Sequence, residues 1–198
     1  MKNIILPAFI LLVFVQWFIP AQMIWQKDKV RTKGYLHRFQ TAPVDPSDPF
    51  VGKYVALNFK ETSKKIGHSN DIDIRSEVYV TFSTDSNGYA HIKDISRTIP
   101  SHTKDYLKTA INYFTTEGDS DRIHIDYPFN RFYMEENKAP QAEQAYNIRN
   151  ADTSNKTYAL VSIFEGDAVI KDIFINDSSL SQIINKIASS RKDSPLAR

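Results

Sequence analysis

The chain has 198 residues, a formal net charge of +2 and no cysteine. The near balance of charge argues against a nucleic-acid partner, and the absence of cysteine excludes disulfides and thiolate metal sites. There are 10 tyrosines and 12 phenylalanines but only 6 glycines. This composition favours β-strands around a packed core, and the length suits one domain or two small lobes.

The chain begins with an uncharged apolar segment. Residues 3–26 contain no charged side chain, and about 20 apolar residues are enough to cross a bilayer as a helix. We therefore predict that residues 1–26 form a membrane anchor, that Pro20 kinks or ends its helix, and that the protein is single-pass. A cleaved signal peptide is the alternative, with Lys2 as its basic start and Ile19–Ala21 at the cleavage site.

Two features of the sequence disagree about the side of the membrane. Four basic residues follow the apolar segment, namely Lys27, Lys29, Arg31 and Lys33, and the positive-inside rule would keep this flank in the cytoplasm. A short N-terminal apolar segment led by a lysine instead resembles an export signal. We predict that the soluble domain is extracytoplasmic.

The rest of the chain is predicted as a connector with a first strand over residues 27–40, a β domain over 41–190 and a loose tail over 191–198. Alternating apolar residues between turn-forming residues predict hairpins. Three are expected: Val78–Phe82 with Tyr89–Ile95, Ala110–Phe114 with Ile123–Tyr127, and Tyr158–Phe164 with Asp167–Ile175. Short helices are predicted at Ser101–Lys108, Glu135–Ile148 and Ser178–Ser190, and a loop at Glu61–Asn70. The predicted fold is mainly β (α+β), with antiparallel sheets.

The least ordinary stretch runs from Thr41 to Phe59 and reads TAPVDPSDPFVGKYVALNF. Its prolines and aspartates favour a rigid turn, and the alternation that follows Gly52 predicts a strand with one apolar face. Gly52 is expected to be required by the backbone where the turn enters the strand. The residues that form this motif are Thr41, Ala42, Pro43, Asp45, Pro46, Asp48, Gly52, Tyr54, Leu57 and Phe59.

The motif resembles the GDYXXLXY family of membrane-anchored proteins, with Lys53 in place of the family's aspartate and Phe59 in place of its last tyrosine. The resemblance extends from the N-terminal anchor, through Arg131–Tyr133, to the hairpin near Gly166. It implies an extracytoplasmic domain without an assigned activity, and a multi-pass membrane protein as the candidate partner. The substitution at Lys53 argues against that aspartate as an obligatory catalyst.

The sequence also contains a possible repeat. Gly88–Ile95 and Gly166–Ile173 are identical at six of eight positions, and Tyr79 and Tyr158 are 79 positions apart. We predict a duplication with two pseudo-two-fold β-lobes, over about residues 35–100 and 105–190. The alternative is convergence, since glycine turns and alternating isoleucines are common in hairpins.

The candidate binding residues are Lys53, Tyr54, Arg131, Tyr133, Lys93 and Lys171, which are expected to line a groove between the lobes. The alternative is an aromatic core with solvated charges. Asp45 with Asp48 could hold a hard cation, and His124 with Asp126 could serve a metal or a proton relay; turn formation and a solvated strand face explain them as well. No catalytic residue, metal site or cofactor is predicted.

The function that these observations favour is a non-catalytic binding or assembly module at the membrane. One alternative is an extracytoplasmic hydrolase that uses an Asp/His site, which would need its groups in one cleft. The other is a purely structural subunit of a membrane complex.

Overall fold

The computed structural model describes residues 2–42, 54–67, 73–117, 120–133, 146 and 156–185. Several predictions therefore lie outside the described residues. They concern Pro43, Asp45, Pro46, Asp48, Gly52 and Lys53 of the motif, the helix predicted over Glu135–Ile148 apart from Tyr146, and the tail over 191–198.

The apolar segment forms one long helix, α1 (Lys2–Lys33), which continues through Pro20 and does not end there. The charged residues 27–33, predicted as a connector, form the last turns of the same helix. Among the described residues, α1 is the helix that is long and apolar enough to cross a membrane. Its apolar stretch has a mean hydropathy of 1.8, and none of that stretch is buried.

The strands follow directly after Gly34. They are β1 (Tyr35–Ala42), β2 (Tyr54–Ala56), β3 (Asn58–Phe59), β4 (Ser63–Gly67), β5 (Glu77–Thr84), β6 (Ala90–Ser96), β7 (Leu107–Glu117), β8 (Ser120–Ile125), β9 (Arg131–Tyr133), β10 (Thr157–Phe164), β11 (Asp167–Ile175) and β12 (Ser178–Ser179). A helix over residues 180–185, α2, follows β12.

The described strands form two five-stranded sheets and a two-stranded ribbon. The first sheet has the order β12-β11-β10-β1-β3, the second has the order β4-β8-β7-β5-β6, and β2 pairs with β9. Every pair of named strands is antiparallel. The mainly antiparallel β prediction is confirmed, as are the three hairpins, which are β5–β6, β7–β8 and β10–β11.

Three local predictions are wrong. The loop predicted at Glu61–Asn70 contains β4, because pairing with β8 satisfies its backbone despite a polar sequence. The helix predicted at Ser101–Lys108 is a turn that leads into β7, because Leu107 is fully buried opposite Val80. The helix predicted from Ser178 begins two residues later, since Ser178–Ser179 pair with the end of β11.

Each sheet takes strands from both predicted lobes. In the first sheet β1 pairs with β10, and in the second β7 pairs with β5. The boundary predicted near residues 100–105 therefore does not separate two sheets, and the division into lobes stays a prediction. The two sheets nevertheless have similar strand orders. A hairpin forms the first end of each series of four strands, β10–β11 in β11-β10-β1-β3 and β5–β6 in β6-β5-β7-β8.

One cluster of buried side chains forms the core. Phe39 of β1 lies at its aromatic centre, with ring centroids 5.8 Å from Phe59, 5.1 Å from Phe82, 5.2 Å from Tyr127 and 5.1 Å from Phe129. These rings come from both sheets and from the segment after β8. Their edge-to-face packing joins the sheets into one domain.

Candidate functional site

A polar cavity of about 490 Å³ opens beside β5, β6 and the loop that follows β6. Its lining combines one lysine and two aspartates with several hydroxyl groups and a few apolar side chains. The lining residues are Tyr79, Thr81, Phe82, Lys93, Asp94, Ser96, Thr98, Ile99, Pro100, Ser101, His102, Thr103 and Asp105. We call this the β5–β6 cavity.

A β-bulge brings Lys93 and Asp94 to the cavity together. In the β5–β6 ladder Thr81 lies opposite Asp94 and Phe82 opposite Ile92, so Lys93 is an extra residue. Neighbouring residues of a regular strand point to opposite faces, whereas a bulge lets two of them share one side. Lys64 of β4 fixes the bulge by donating to the Lys93 carbonyl at 2.6 Å and to the Ile92 carbonyl at 3.3 Å.

A histidine–aspartate pair adjoins the cavity through Asp105, which lines it, whereas His37 lies behind this carboxylate and is not a lining residue. His37 Nε2 lies 2.9 and 3.0 Å from the two carboxylate oxygens of Asp105, and the His37 side chain is only 9% exposed. The imidazole packs 5.6 Å from the Phe82 ring. The Asp105 amide donates to Thr103 Oγ1 at 3.0 Å, so this pair ties the cavity loop to β1.

The chemistry of the β5–β6 cavity suits a polar ligand. Lys93 offers donors, Asp94 and Asp105 offer acceptors, and the hydroxyl groups offer both. The Tyr79 hydroxyl donates to Glu77 at 2.9 Å, and this bond raises the pKa of Tyr79, so the phenol stays neutral. No group of three or more metal-ligating side chains occurs among the described residues.

Three of the predicted binding residues meet elsewhere, on the β2–β9 ribbon. Tyr54 pairs directly with Tyr133, with ring centroids 5.4 Å apart, and the Arg131 guanidinium lies 4.8 Å from the Tyr54 ring centroid. Tyr133 is 65% exposed. We call these three residues the Tyr–Arg patch. Lys93 lies in the β5–β6 cavity, and Lys171 lies in the other sheet, so the five predicted residues that the structure describes are not all in one place; Lys53 lies outside the described residues.

The described motif residues have structural roles. The Thr41 hydroxyl is buried and donates to Thr157 Oγ1 at 2.8 Å, and Ala42 pairs with Asn58. Leu57 is 2% exposed and Phe59 belongs to the aromatic centre of the core. The motif therefore specifies how β1 and the strands after it pack.

The candidate pair His124 and Asp126 engages different partners. The His124 ring stacks on Tyr113 with centroids 4.2 Å apart, and the Asp126 carboxylate accepts from Asn112 at 3.0 Å. Sequence reasoning missed the His37–Asp105 pair. The alternation of Tyr35, His37 and Phe39 placed a histidine on one face of a strand, and a buried histidine needs a polar partner. No sequence pattern identifies Asp105, 68 positions away, as that partner.

The last turns of α1 are fixed to the β10–β11 hairpin. Ser162 Oγ donates to the Val30 carbonyl at 2.7 Å, and a Cβ on Gly34 would overlap both the Ser162 hydroxyl and the Val30 carbonyl. Lys27 pairs with Asp167 at 2.8 Å, and Glu165 pairs with Lys29 and Lys104 at 2.8 Å each. We call these contacts the anchor junction.

Electrostatics stabilise the charged form of Glu165. Hydrogen bonds from Lys104 and Lys29 lower the pKa of Glu165 to about 2. The backbone continues the junction into the cavity loop, since the Glu165 amide donates to the Lys104 carbonyl at 2.8 Å and the Gly166 amide donates to the Tyr106 carbonyl at 2.9 Å. The anchor junction and the β5–β6 cavity therefore share one loop, 103–106.

Comparison with known protein families gives a match. A family model described as GDYXXLXY protein matches residues 16–173, which is most of the chain. No curated protein matches the chain, and no solved structure matches it either.

Proposed function

Because the chain belongs to the GDYXXLXY family, whose name describes a sequence motif and not an activity, we propose its function from the structure. The protein is a membrane-anchored, non-catalytic binding or assembly module. The observation that carries this proposal is the anchor junction, in which an exposed apolar helix passes without a break into a buried contact with the β domain.

The anchor junction supports a fixed mount and argues against a flexible tether. Val30 is 2% exposed, and its carbonyl accepts from both the Gly34 amide, at 3.0 Å, and Ser162. Gly34 alone joins the helix to β1, and Gly34 also lies close to Ser162 and Ile163 of β10. A binding surface mounted in this way keeps one orientation to the bilayer, which favours a partner that lies in the same membrane.

Two surfaces are available for such a partner. The β5–β6 cavity accepts a polar ligand or a polar segment of another protein. The Tyr–Arg patch offers the residue types that are enriched at the centres of protein interfaces. A multi-pass membrane protein, the partner implied by the family resemblance, would engage both surfaces from beside the anchor.

The test is site-specific photocrosslinking in native membranes. A photoreactive residue at Thr98, on the cavity, is compared with one at Asn87, an exposed position in the β5–β6 turn. We expect one dominant adduct from Thr98, absent from Asn87 and reduced by Asp94→Asn, and its intact mass distinguishes a small ligand from a protein. Equal adducts at both positions would reject the cavity as the binding surface.

We also propose that the domain is extracytoplasmic and that the anchor is retained. Ser86 is exposed in the β5–β6 turn, so a cysteine placed there should react with a membrane-impermeant thiol reagent in intact cells. Labelling that requires lysis would reverse the orientation. Loss of the N-terminal segment from the membrane-bound protein, measured by intact mass, would establish the signal-peptide alternative.

The His37–Asp105 pair supports a second candidate function, an extracytoplasmic hydrolase. An imidazole held at 2.9 Å by a carboxylate that itself lines a hydroxyl-rich cavity is an arrangement that could support general base catalysis. Hydrolysis of ester or phosphoester test substrates that is abolished by His37→Gln, with binding at Thr98 retained, would establish this candidate. Absence of hydrolysis in the presence of the Thr98 adduct favours the binding module.

Finally, we propose that the two halves of the β domain arose by duplication with exchange of hairpins. Both hairpins have a bulge at the same place, with Lys93 and Lys171 as the extra residues. Each hairpin adds to the sheet of the other half, and Tyr54 pairs with Tyr133 between them. The proposal predicts that neither half folds alone but that co-expressed halves assemble, as shown by co-purification and circular dichroism; independent folding of one half would contradict it.

A further inference from the structure

A second cavity lies where the apolar helix meets the β domain. It has a volume of about 190 Å³ and is lined mainly by Trp25, Gln26 and Lys29 of α1 and by Phe164, Glu165 and Asp167 of the β10–β11 turn. We call it the junction cleft. The uncharged part of α1 runs from residue 3 to Gln26, and about 24 helical residues are long enough to cross the hydrocarbon core. A spanning helix therefore brings the junction cleft to the level of the lipid headgroups.

Charges of both signs surround the junction cleft. Asp167 accepts from Gln26 and from Lys27, at 2.8 Å for the lysine, and Glu165 lies between Lys29 and Lys104. The two ammonium groups also lie 4.9 and 5.5 Å from the Phe164 ring centroid. An ammonium has three N–H donors and a carboxylate accepts several hydrogen bonds. These ion pairs can therefore form further hydrogen bonds with a ligand that carries both a positive and a negative charge.

We propose that the junction cleft binds the headgroup of phosphatidylethanolamine, an inference that rests on the proposed membrane anchor. The primary ammonium of the lipid donates to Glu165 and Asp167, and the phosphate accepts from Lys29 and Gln26. The acyl chains follow Trp25 and the exposed apolar surface of α1, where Trp25 is 69% exposed. Aromatic residues favour this depth of the membrane.

Other common headgroups fit this arrangement less well. The trimethylammonium of phosphatidylcholine has no N–H to donate to the carboxylates, although it keeps the charge. Phosphatidylglycerol has no cationic group, so its phosphate could accept from Lys29 but its headgroup would bring no ammonium to Glu165 and Asp167.

The test uses the full chain in nanodiscs that contain equal amounts of phosphatidylethanolamine, phosphatidylcholine and phosphatidylglycerol. Native mass spectrometry identifies the lipid class that stays bound when the disc is removed. We expect roughly tenfold retention of phosphatidylethanolamine over the other two classes, as charge-assisted hydrogen bonds allow. The double variant Glu165→Gln/Asp167→Asn should lose this preference, whereas Glu165→Asp should keep most of it.

The matched control is Glu61→Gln, which alters a carboxylate paired with His91 on the other sheet and should leave lipid retention unchanged. Equal retention of phosphatidylcholine, preference for phosphatidylglycerol, or an unchanged preference in the double variant would each overturn the proposal. These outcomes require a chain inserted in the nanodisc. If alkaline carbonate extracts the wild-type chain from native membranes, the membrane anchor itself is wrong, and the headgroup site falls with it.

Discussion

The second strands of the two hairpins that share a sequence pattern, β6 of β5–β6 and β11 of β10–β11, are buried at opposite ends. Both have a glycine at positive φ in the turn, 84° for Gly88 and 91° for Gly166. In β6 the buried residues are Ala90 and Ile92, next to the turn, whereas in β11 they are Ile173 and Ile175, far from it. Local sequence thus determines the turn and the bulge, and long-range contacts determine which end is buried.

The neighbours of each hairpin explain this difference. The turn end of β10–β11 lies against the charged end of α1, so Ile170 is only partly buried there. The far end of β11 belongs to the same core cluster as Leu180 and Ile184 of α2. In β5–β6 the far end borders the polar cavity, which leaves Ile95 partly exposed.

The largest expected effect comes from truncating the equivalent isoleucines. Ile92→Ala and Ile173→Ala should each destabilise the protein by about 2–5 kcal/mol, because each side chain is fully buried. Their counterparts, Ile170→Ala and Ile95→Ala, should cost about half as much or less, since part of each side chain stays in water. Denaturant unfolding in detergent measures all four, and equal losses within each pair would show that the hairpins are equally buried.

The turn glycines should differ by less. Both substitutions to alanine place a side chain at positive φ, which costs about 1 kcal/mol. Gly166→Ala also sets a Cβ 3.1 Å from Lys108 Cβ and 3.4 Å from the Tyr106 ring, while nothing lies within 4 Å of a Cβ on Gly88. We expect thermal unfolding to show a loss of about 2–3 kcal/mol at Gly166 and about 1 kcal/mol at Gly88. The reverse order would mean that the turn of β10–β11 adjusts more easily than its contacts indicate.

These contrasts show what the sequence could and could not predict. Alternation and turn residues predicted the three hairpins, since both signals are local. The polar segment Ser63–Gly67 became a strand only because β8 is beside it, and Asp105 became the partner of His37 only because the sheets pack together. Tyr54, Arg131 and Tyr133 were selected by residue type, but as part of one groove with three lysines. The anchor junction was missed, because Ser162 shows no unusual feature before Val30 is placed against it.

A smaller contrast separates the equivalent serines of β5 and β10. Ser162 is fully buried and donates to the Val30 carbonyl at 2.7 Å, whereas Ser83 is partly exposed on β5. Ser162→Ala should cost about 1–2 kcal/mol, because it leaves a buried carbonyl with one partner fewer, and Ser83→Ala should stay within about 0.5 kcal/mol of wild type. Faster amide exchange at Gly34 in Ser162→Ala alone would locate the loss at the anchor junction; equal exchange in both variants would contradict this role.

The smallest contrast is in the response to acid, and it concerns the anchor junction alone. Hydrogen bonds from Lys104 and Lys29 lower the pKa of Glu165 from 4.5 to about 2. Because the folded state holds the lower pKa, the stabilisation is complete above pH 4.5 and is lost as the pH falls toward 2. The pair is exposed, so salt should weaken the effect.

Hydrogen–deuterium exchange of the end of α1, corrected for the intrinsic rate, should therefore rise in wild type between pH 5 and about pH 3. Glu165→Gln should show the faster exchange already at pH 5 and little further change. Glu77→Gln, which removes an exposed carboxylate of β5 paired with Lys108 of β7, should behave as wild type at the junction. A wild-type junction insensitive to this acidification would mean that Ser162 and the close approach at Gly34 hold the helix without the help of charge.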